Sequence, residues 1–494
     1  MLLENYSVKA INCFPKGGLT GRRKIKTAVK EINANNVVDV VNQALAIHSQ
    51  NAAEIEYLYR YYCGCQDILR KKKYVRENIN NKVIINRANE IVTFKTAYLL
   101  NEPIQYTSNN GTEETLKKIN TLNEYMNAED KESKDKEIAD WMHICGVGER
   151  LVLDDKSFGT TENAPFCIFT LDPRNAFAIY NSGIGETQIA GVILQVDENN
   201  KTFVDVYTTD KHFIIKGDKV EEYPTMYGGI PLIEYVNNEA RIGAFEVVIS
   251  ILNNINILES NAIDSVEDFV NGFDVFQNCT LEDDDYSNLS VGGKALKIKT
   301  VTQGMEAKVY RVFSELNQSG VQTRIDDLTD AYLTICGMPN RNGGTSTSDT
   351  GTAVIFRDGF FEAESRAKDT EKLFVRSERE MLKIVLHICD IANSGAYSLN
   401  LKLSDIKTEF LRKTLSNSQS KVQMLCEMLN NDKIHPLVAY QTAAIAKDNL
   451  LAYKMGMEWY KENNERELEE LSKVPESVRK AEEQSERQDD EQEI

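Results

Sequence analysis

The spacing of apolar residues divides the chain into helical and strand-like stretches. Recurrence at every third or fourth position, which places side chains on one face of a helix, predicts several helices. They cover residues 36–64, 81–100, 113–146, 239–271, 316–336, 352–392, 405–429 and 436–460, with a looser stretch at 127–136 and a possible kink at Gly359. The sequence therefore predicts a mainly helical fold.

From residue 149 the pattern changes to short β-rich runs separated by turn residues. The predicted strands are 150–153, 166–171, 176–180, 189–196, 202–208 and 212–216. Strands that follow one another without helices between them favour an antiparallel meander. A second strand-like stretch covers 272–312, so the predicted fold class is α+β.

The helix predicted at 239–271 is apolar on more than one side. Val248, Leu252, Ile255, Leu258 and Val266 recur at steps of three and four, and isoleucines widen this surface. No other segment is evidently free to cover it, so we expect a neighbouring subunit to do so. The predicted subunit-interface residues, which include two from the helix at 316–336, are Leu252, Ile255, Leu258, Val266, Ile325 and Leu328.

The helix predicted at 316–336 carries three aspartates on one sector. Asp330 follows Asp326 and Asp327 by four and three residues, and the opposite sector is apolar. Like charges at this spacing cost a few tenths of a kcal/mol, roughly. The sector is either an ordinary solvated face or the lining of a water-filled channel.

Composition narrows the possible functions. The chain has 494 residues, enough for two to four modules, and its formal net charge is −19. This charge opposes tight, static binding of nucleic acid but not a surface past which DNA slides; the alternative is an acidic surface that aids solubility. No apolar run of membrane-span length and no signal peptide are evident. Residues 462–494 are expected to form a disordered acidic tail.

Motifs for catalysis or metal binding are weak. The glycine-rich stretches 17–24 and 343–351 lack phosphate-loop spacing, and the dispersed histidines form no metal motif. Cys63-Gly64-Cys65 is interpreted as a helix end flanked by buried thiols, and the nine cysteines as mainly buried free thiols. Asp283–Asp285 is more typical of a solvated turn than of a calcium loop. We therefore predict no cofactor, no metal site and no enzymatic activity.

Four motifs in order resemble the portal proteins of tailed bacteriophages, specifically the family of long-tailed phages of Gram-positive hosts. The similarity covers roughly residues 59–460. The motifs are Tyr62-Cys63-Gly64 with the Asn-rich turn at 78–81, Lys95–Leu99 followed by Pro103-Ile104, Gly229–Asn238, and Met338-Pro339 with Gly343–Ala353. Asn101-Glu102, Tyr235 and Thr350 stand where the family often has Gly, Phe and Ser.

The resemblance implies a portal-type subunit with several parts. They are a wing (1–236, with the meander at 149–236), two stem helices (237–271 and 316–336), a β-rich clip (272–315), a tunnel loop (337–350), long wing and crown helices (351–461) and the acidic tail. Such subunits form a ring, usually of twelve. The acidic sector Asp326, Asp327 and Asp330 would line the channel. The tunnel-loop residues that would contact DNA are Asn340, Arg341, Asn342, Thr345, Ser346, Thr347 and Ser348.

The resemblance also implies partners and a location. The ring would conduct double-stranded DNA without reading its sequence and would contact the terminase large subunit, the head–tail connector or adaptor, the major capsid protein and scaffolding protein. It would be made in the host cytoplasm and reside in the virion, at the capsid's portal vertex, with no membrane. Its roles would be genome packaging, retention, tail connection and DNA ejection. Two other functions stay open: a metal-dependent nucleic-acid enzyme and a non-viral helical adaptor.

Overall fold

The fold is taken from a computed structural model. It describes residues 8–74, 77–109, 112–155, 164–217, 219–270, 273–280, 299–302, 304–306, 308–312, 318–340, 359–392, 399–410, 418–431, 433–443, 445–446 and 449–473. The described residues have an α+β fold. No helix among them is long and apolar enough to cross a membrane.

The helices agree with much of the predicted pattern. They are α1 (Val37–Tyr62), α2 (Arg87–Leu99), α3 (Glu113–Ala128), α4 (Lys131–Cys145), α5 (Ile249–Val270), α6 (Gln318–Cys336), α7 (Phe360–Ala392), α8 (Ser418–Leu429), α9 (Pro436–Ala443) and α10 (Asn449–Lys473). Short 3-10 helices cover Asp67–Arg70, Glu246–Val248 and Leu403–Asp405.

The strands form small sheets. They are β1 (Ile25–Thr27), β2 (Gln105–Ser108), β3 (Val147–Asp154), β4 (Phe166–Leu171), β5 (Ala176–Asn181), β6 (Gln188–Val196), β7 (Thr202–Tyr207), β8 (Lys211–Lys216), β9 (Lys219–Pro224), β10 (Leu232–Val236), β11 (Phe273–Gln277), β12 (Cys279–Thr280), β13 (Lys299–Thr300), β14 (Lys308–Val312) and β15 (Ile406–Glu409). One sheet has the order β1-β5-β6-β7-β8-β9 and another β10-β3-β4; β11 pairs with β14, β12 with β13, and β15 with β2.

The chain divides into two compact units, Met1–Asn101 with Glu124–Leu403, and Glu102–Asn123 with Ser404–Ile494. In the first unit, α1 packs on the six-stranded sheet around Val41 and Phe213, and the start of α5 lies in a second core with Tyr61 and Phe245. In the second unit, β15 pairs antiparallel with β2, and α9 packs against both α8 and α10.

Several predicted boundaries are wrong. The helix α5 begins at Ile249 rather than at 239, and α2 begins at Arg87 rather than at 81. Residues 113–146 form two helices that separate within the predicted looser stretch. Gly359 lies just before α7 with φ +84° and is not a kink inside it.

Other corrections concern strands and the C-terminal region. β1 pairs parallel with β5, and the predicted meander is divided between two sheets, with β9 as an additional strand. Residues 406–409 are a strand where a helix was predicted. The last helix continues to Lys473, so residues 462–473 are helical rather than a disordered tail. The rest of the predicted tail lies outside the described residues.

The prediction of mainly buried cysteines is also wrong. Cys13, Cys63, Cys65 and Cys426 are exposed, Cys167 is half-buried, and Cys145, Cys336 and Cys389 are buried. Gly64 does end α1, with φ +97° and its N–H donating to the carbonyl of Tyr61. The flanking thiols of Cys63 and Cys65 are exposed, so the interpretation of the Cys-Gly-Cys motif is right about the helix end and wrong about buried thiols.

Candidate functional site

The connection from β10 into α5 is fixed by buried charges from distant parts of the chain. The N–H of Arg22 donates to the carbonyl of Arg241 at 3.0 Å. The Arg22 guanidinium pairs with Glu246 at 2.7 Å and with Glu54 at 3.1 Å. Arg241 is left-handed, with φ +54°. A Cβ on Gly146 would lie 2.2 Å from the carbonyl oxygen of Arg241, so position 146 requires glycine. The entry angle of α5 is therefore set by tertiary contacts.

The two halves of α5 have different surroundings. Leu252 and Ile255 are 1% and 2% exposed and lie in the core of their own chain. Leu258 is half-buried, whereas Ile263 and Val266 are 40% and 43% exposed. The predicted interface residues Leu252 and Ile255 therefore cannot be reached by another subunit while this fold is kept. The expectation that no segment of the same chain covers this helix is therefore wrong for the first half of α5.

Three polar side chains of α5 hold an extended segment of the chain. The N–H groups of Asn81, Val83 and Ile85 donate to Asp264, Ser260 and Asn256 at 2.7, 3.0 and 2.9 Å. Four residues of helix advance about 6 Å and two extended residues about 6.6 Å, so the repeats match. We call this arrangement the polar ladder.

The polar ladder explains why α2 starts late. The N–H groups of residues 81, 83 and 85 are committed to α5, and the Asn86 side chain accepts from the N–H of Asn89 as the N-cap. In the sequence, the i, i+4 spacing of Asn256, Ser260 and Asp264 was a visible signal. Its partner segment was not, because it lies more than 170 residues earlier.

The helix α6 packs on α5 and presents an acidic face to solvent. Ile325 and Tyr332 are 8% and 1% exposed, and Leu328 packs against the same core. The predicted interface residues Ile325 and Leu328 thus contact their own chain. On the other side, Asp326, Asp327 and Asp330 are exposed, as their spacing indicated.

Each of the three aspartates has one local partner within the part of the chain that the structure describes. Asp326 accepts from the Gln322 amide at 2.8 Å, and Asp327 lies 3.9 Å from Arg324. Asp330 accepts from the Asn340 amide at 2.8 Å, which joins the acidic face to the first residue of the predicted DNA-contacting set. The face keeps a net negative charge because one arginine is its only ion-pair partner among the described residues.

The segment that follows α6 starts at a tightly packed glycine. Gly337 has φ +63°, and a Cβ there would lie 2.4 Å from Arg366 Cδ of α7. The Arg366 guanidinium donates to the carbonyls of Ile335 and Thr334 and so completes the C-terminal turn of α6. The remaining predicted tunnel-loop residues lie outside the described residues; they are Arg341, Asn342, Thr345, Ser346, Thr347 and Ser348.

A buried ionic cluster joins β3, β10, α4 and α7. The Arg150 guanidinium, fully buried, pairs with Asp135 at 2.7 Å and with Glu378 at 3.0 Å. Lys131 pairs with the same two carboxylates at 2.6 and 3.0 Å. The Tyr235 hydroxyl donates to Glu378 at 2.7 Å, and burial raises the pKa of Tyr235, so it stays protonated. No periodic pattern in the sequence indicates this cluster, since its residues come from four separate elements.

Glu149 and Glu234 lie directly opposite each other on β3 and β10. Glu234 pairs with Arg241 and accepts from the Tyr180 hydroxyl at 2.6 Å. Burial, and then the charge of Glu234, raise the pKa of Glu149 well above its ordinary value. Glu149 therefore favours the neutral form beside the charged pair.

The alternatives that involve metal chemistry gain no geometric support. Among the described residues, no group of three or more His, Cys, Asp or Glu side chains could hold a metal ion. Asp283–Asp285 and the glycine-rich stretch 343–351 lie outside the described residues. Burial lowers the pKa of His48 to about 4 and of His143 to about 3, and these two rings contact backbone and Thr96 respectively.

Paired long helices joined by short antiparallel strands, with an exposed acidic face on one helix, fit a structural subunit of the portal class. The family model described as "Phage portal protein, SPP1 Gp6-like" matches residues 42–473. The chain belongs to this family of phage portal proteins. The comparison with curated proteins gives no match.

Proposed function

We propose that this chain forms the ring-shaped DNA channel at one vertex of a phage capsid, through which the genome is packaged, retained and ejected. The family match over residues 42–473 is the observation that carries the proposal. The exposed acidic face of α6 and the half-exposed second half of α5 support it, since the first suits a DNA conduit and the second a subunit contact.

In this proposal, α5 and α6 are the stem, and the short strands β11–β14 between them belong to the clip. The wing contains α1, α2, α4 and the two larger sheets, and the crown contains α8–α10. Residues 337–350 form the tunnel loop. The clip is the expected contact for the terminase and the head–tail connector, and the wing for capsid and scaffolding proteins.

The subunit interface of the ring is proposed at the second half of α5. Val266 and Ile263 expose apolar surface there, with Leu258 half-buried beside them. A ring uses heterologous contacts, so this face would meet a different surface of the next subunit. Twelve subunits are the expected number from the family resemblance.

The channel lining is proposed at Asp326, Asp327 and Asp330. A negative wall repels phosphate and lowers the tendency of DNA to adhere during passage. Since the wall makes no base contacts, passage would not depend on DNA sequence. The ring itself would hydrolyse nothing; the terminase would supply the energy.

Charge reversal tests the channel lining. The triple substitution D326K/D327K/D330K should increase salt-sensitive retention of duplex DNA and reduce packaging in a reconstituted system. A matched control places the same charge change on exposed turns and an edge strand of the large sheet, with E198K/D210K/E221K. Equal DNA retention by the two variants would place the aspartates outside the channel. The family membership of the chain would not be affected by that result.

A further inference from the structure

Within the extended segment 81–85, the backbone N–H groups that have partners among the described residues donate on one side, toward α5. Its odd-numbered residues donate to α5 through the polar ladder. Successive peptide groups of an extended chain point to opposite sides, so those of Lys82 and Ile84 point away from α5. Neither of these two N–H groups has a hydrogen-bond partner among the described residues.

The composition of this segment is typical of a strand. It contains Val83, Ile84 and Ile85 in succession, and β-branched residues favour the extended conformation. Lys82 is exposed, and Val83 and Ile84 are half-buried. An ordered, extended backbone with unpaired groups is a template on which another strand can add.

Cations lie close to this segment. Arg70, Lys71, Lys72 and Lys73 follow one another in the chain just before this segment, and Lys82 lies within it. Lys71 and Lys73 lie 2.9 and 3.5 Å from Asp264, and Lys72 has no ion pair among the described residues. The local excess of positive charge contrasts with the net charge of −19 for the chain.

Exposed apolar surface lies beside the same cations. Tyr74 is 87% exposed and Leu69 is 43% exposed. The Lys82 ammonium donates to the Leu69 carbonyl at 2.7 Å, so the cationic segment and the apolar residues are in direct contact. A partner that carries both carboxylates and apolar side chains would find contacts for each.

We propose that this edge binds an extended acidic peptide segment of a partner protein as an added strand. Backbone groups of the peptide would pair with Lys82 and Ile84, and its carboxylates would pair with Lys72 and Lys82. A nucleic acid can use the cations but cannot pair with the strand edge, so the edge favours a peptide. The proposal does not depend on the DNA-channel function.

A binding titration tests this edge directly. The probe is a fluorescent ten-residue peptide of alternating Val and Glu, followed by anisotropy with the full-length protein; a Val/Lys peptide is the comparison. We expect salt-sensitive binding of the acidic peptide only. Ile84→Pro removes one outward N–H while keeping an extended φ, and should weaken binding at least tenfold. K72E/K82E should weaken it similarly, and K368E/K372E on exposed α7 positions is the charge-matched control.

Amide exchange supplies a second readout that does not rely on the proline variant folding. The amides of Lys82 and Ile84 should exchange rapidly in the free protein and slowly with the acidic peptide. Protection in the free protein would show that the edge is already covered and would overturn the proposal. Peptide affinity unchanged by Ile84→Pro, or a 20-bp DNA duplex that binds this site when the peptide does not, would overturn it as well.

Discussion

The two halves of α5 belong to one helix but have opposite relations to the rest of the chain. Around Leu252 and Ile255, the apolar face is covered by the subunit's own core. Around Ile263 and Val266, the continuation of that face is about two-fifths exposed. Hydrophobic periodicity is similar in both halves, so periodicity identifies the face but not what covers it. The same pattern can mark the core in one turn and a subunit contact in the next.

The polar contacts of α5, unlike its apolar contacts, continue from the first half of the helix into the second. The polar ladder runs from Asn256 to Asp264, so it spans the point where the apolar core ends. It anchors the outer half of α5 through hydrogen bonds where apolar contacts are fewer.

The largest effect is expected for Leu252→Ala in the first half. Removal of a fully buried leucine side chain should lower the free energy of unfolding by about 2–5 kcal/mol, through lost transfer energy and a residual cavity. Urea unfolding followed by circular dichroism measures it. A loss below about 0.5 kcal/mol would mean that this half is not covered as described.

A smaller effect is expected for Ser260→Ala in the polar ladder. The substitution leaves the N–H of Val83 without its acceptor and should cost about 1–3 kcal/mol. Ser250→Ala, on an exposed position of the same helix, is the control and should be nearly neutral. Equal stability of the two variants in urea would show that the ladder contributes nothing.

Glu149→Gln tests whether the pKa of the buried carboxyl on β3, opposite Glu234, is raised in the folded state. Because the folded-state pKa of Glu149 is raised, its favourable contribution is present below the unfolded-state pKa and is lost as pH rises through the folded-state value. The glutamine variant should therefore lose part of the wild-type decline in Tm toward alkaline pH. Parallel Tm profiles for the two proteins from pH 5 to 9 would contradict this assignment.

The smallest effect on subunit stability is expected for Val266→Asp in the second half, within about 0.5 kcal/mol because the side chain is exposed. Assembly, in contrast, should be lost, since a charge would be placed in the proposed interface. Met226→Asp, at an exposed apolar position on another part of the first unit, is the control and should assemble normally. Size-exclusion chromatography with light scattering separates the outcomes, and normal assembly of the Val266 variant would remove this half from the interface.

The sequence predicted local periodicity well and long-range constraints poorly. The apolar stripe of α6, and the acidic sector opposite it, were evident from spacing alone. The start of α5 was predicted ten residues early, because the chain makes a turn at Asn238–Arg241 whose left-handed Arg241 accepts from the N–H of Arg22. The strand at 406–409 was missed since its partner, β2, lies some 300 residues earlier.

In the candidate site, too, features set by one helix were predictable and features set by distant segments were not. Exposure of Asp326, Asp327 and Asp330 follows from one helix and was predictable. Leu252 and Ile255 are buried in a core with residues of α1 and α2, and α6, which carries Ile325, packs on α5, so spacing alone could not separate core from interface. The buried Arg150 cluster has no local pattern, because each element contributes one or two residues.

The most direct test of the central claim is the assembly state of the purified full-length protein, by native mass spectrometry and electron microscopy of the same sample. The account predicts a closed ring whose mass is a multiple of 55.9 kDa, with a central hole lined by the acidic face of α6 and with Val266 at the contact between subunits. A monomer or dimer under conditions where the fold is intact, or a ring in which Asp326, Asp327 and Asp330 lie on the outer surface, would contradict it.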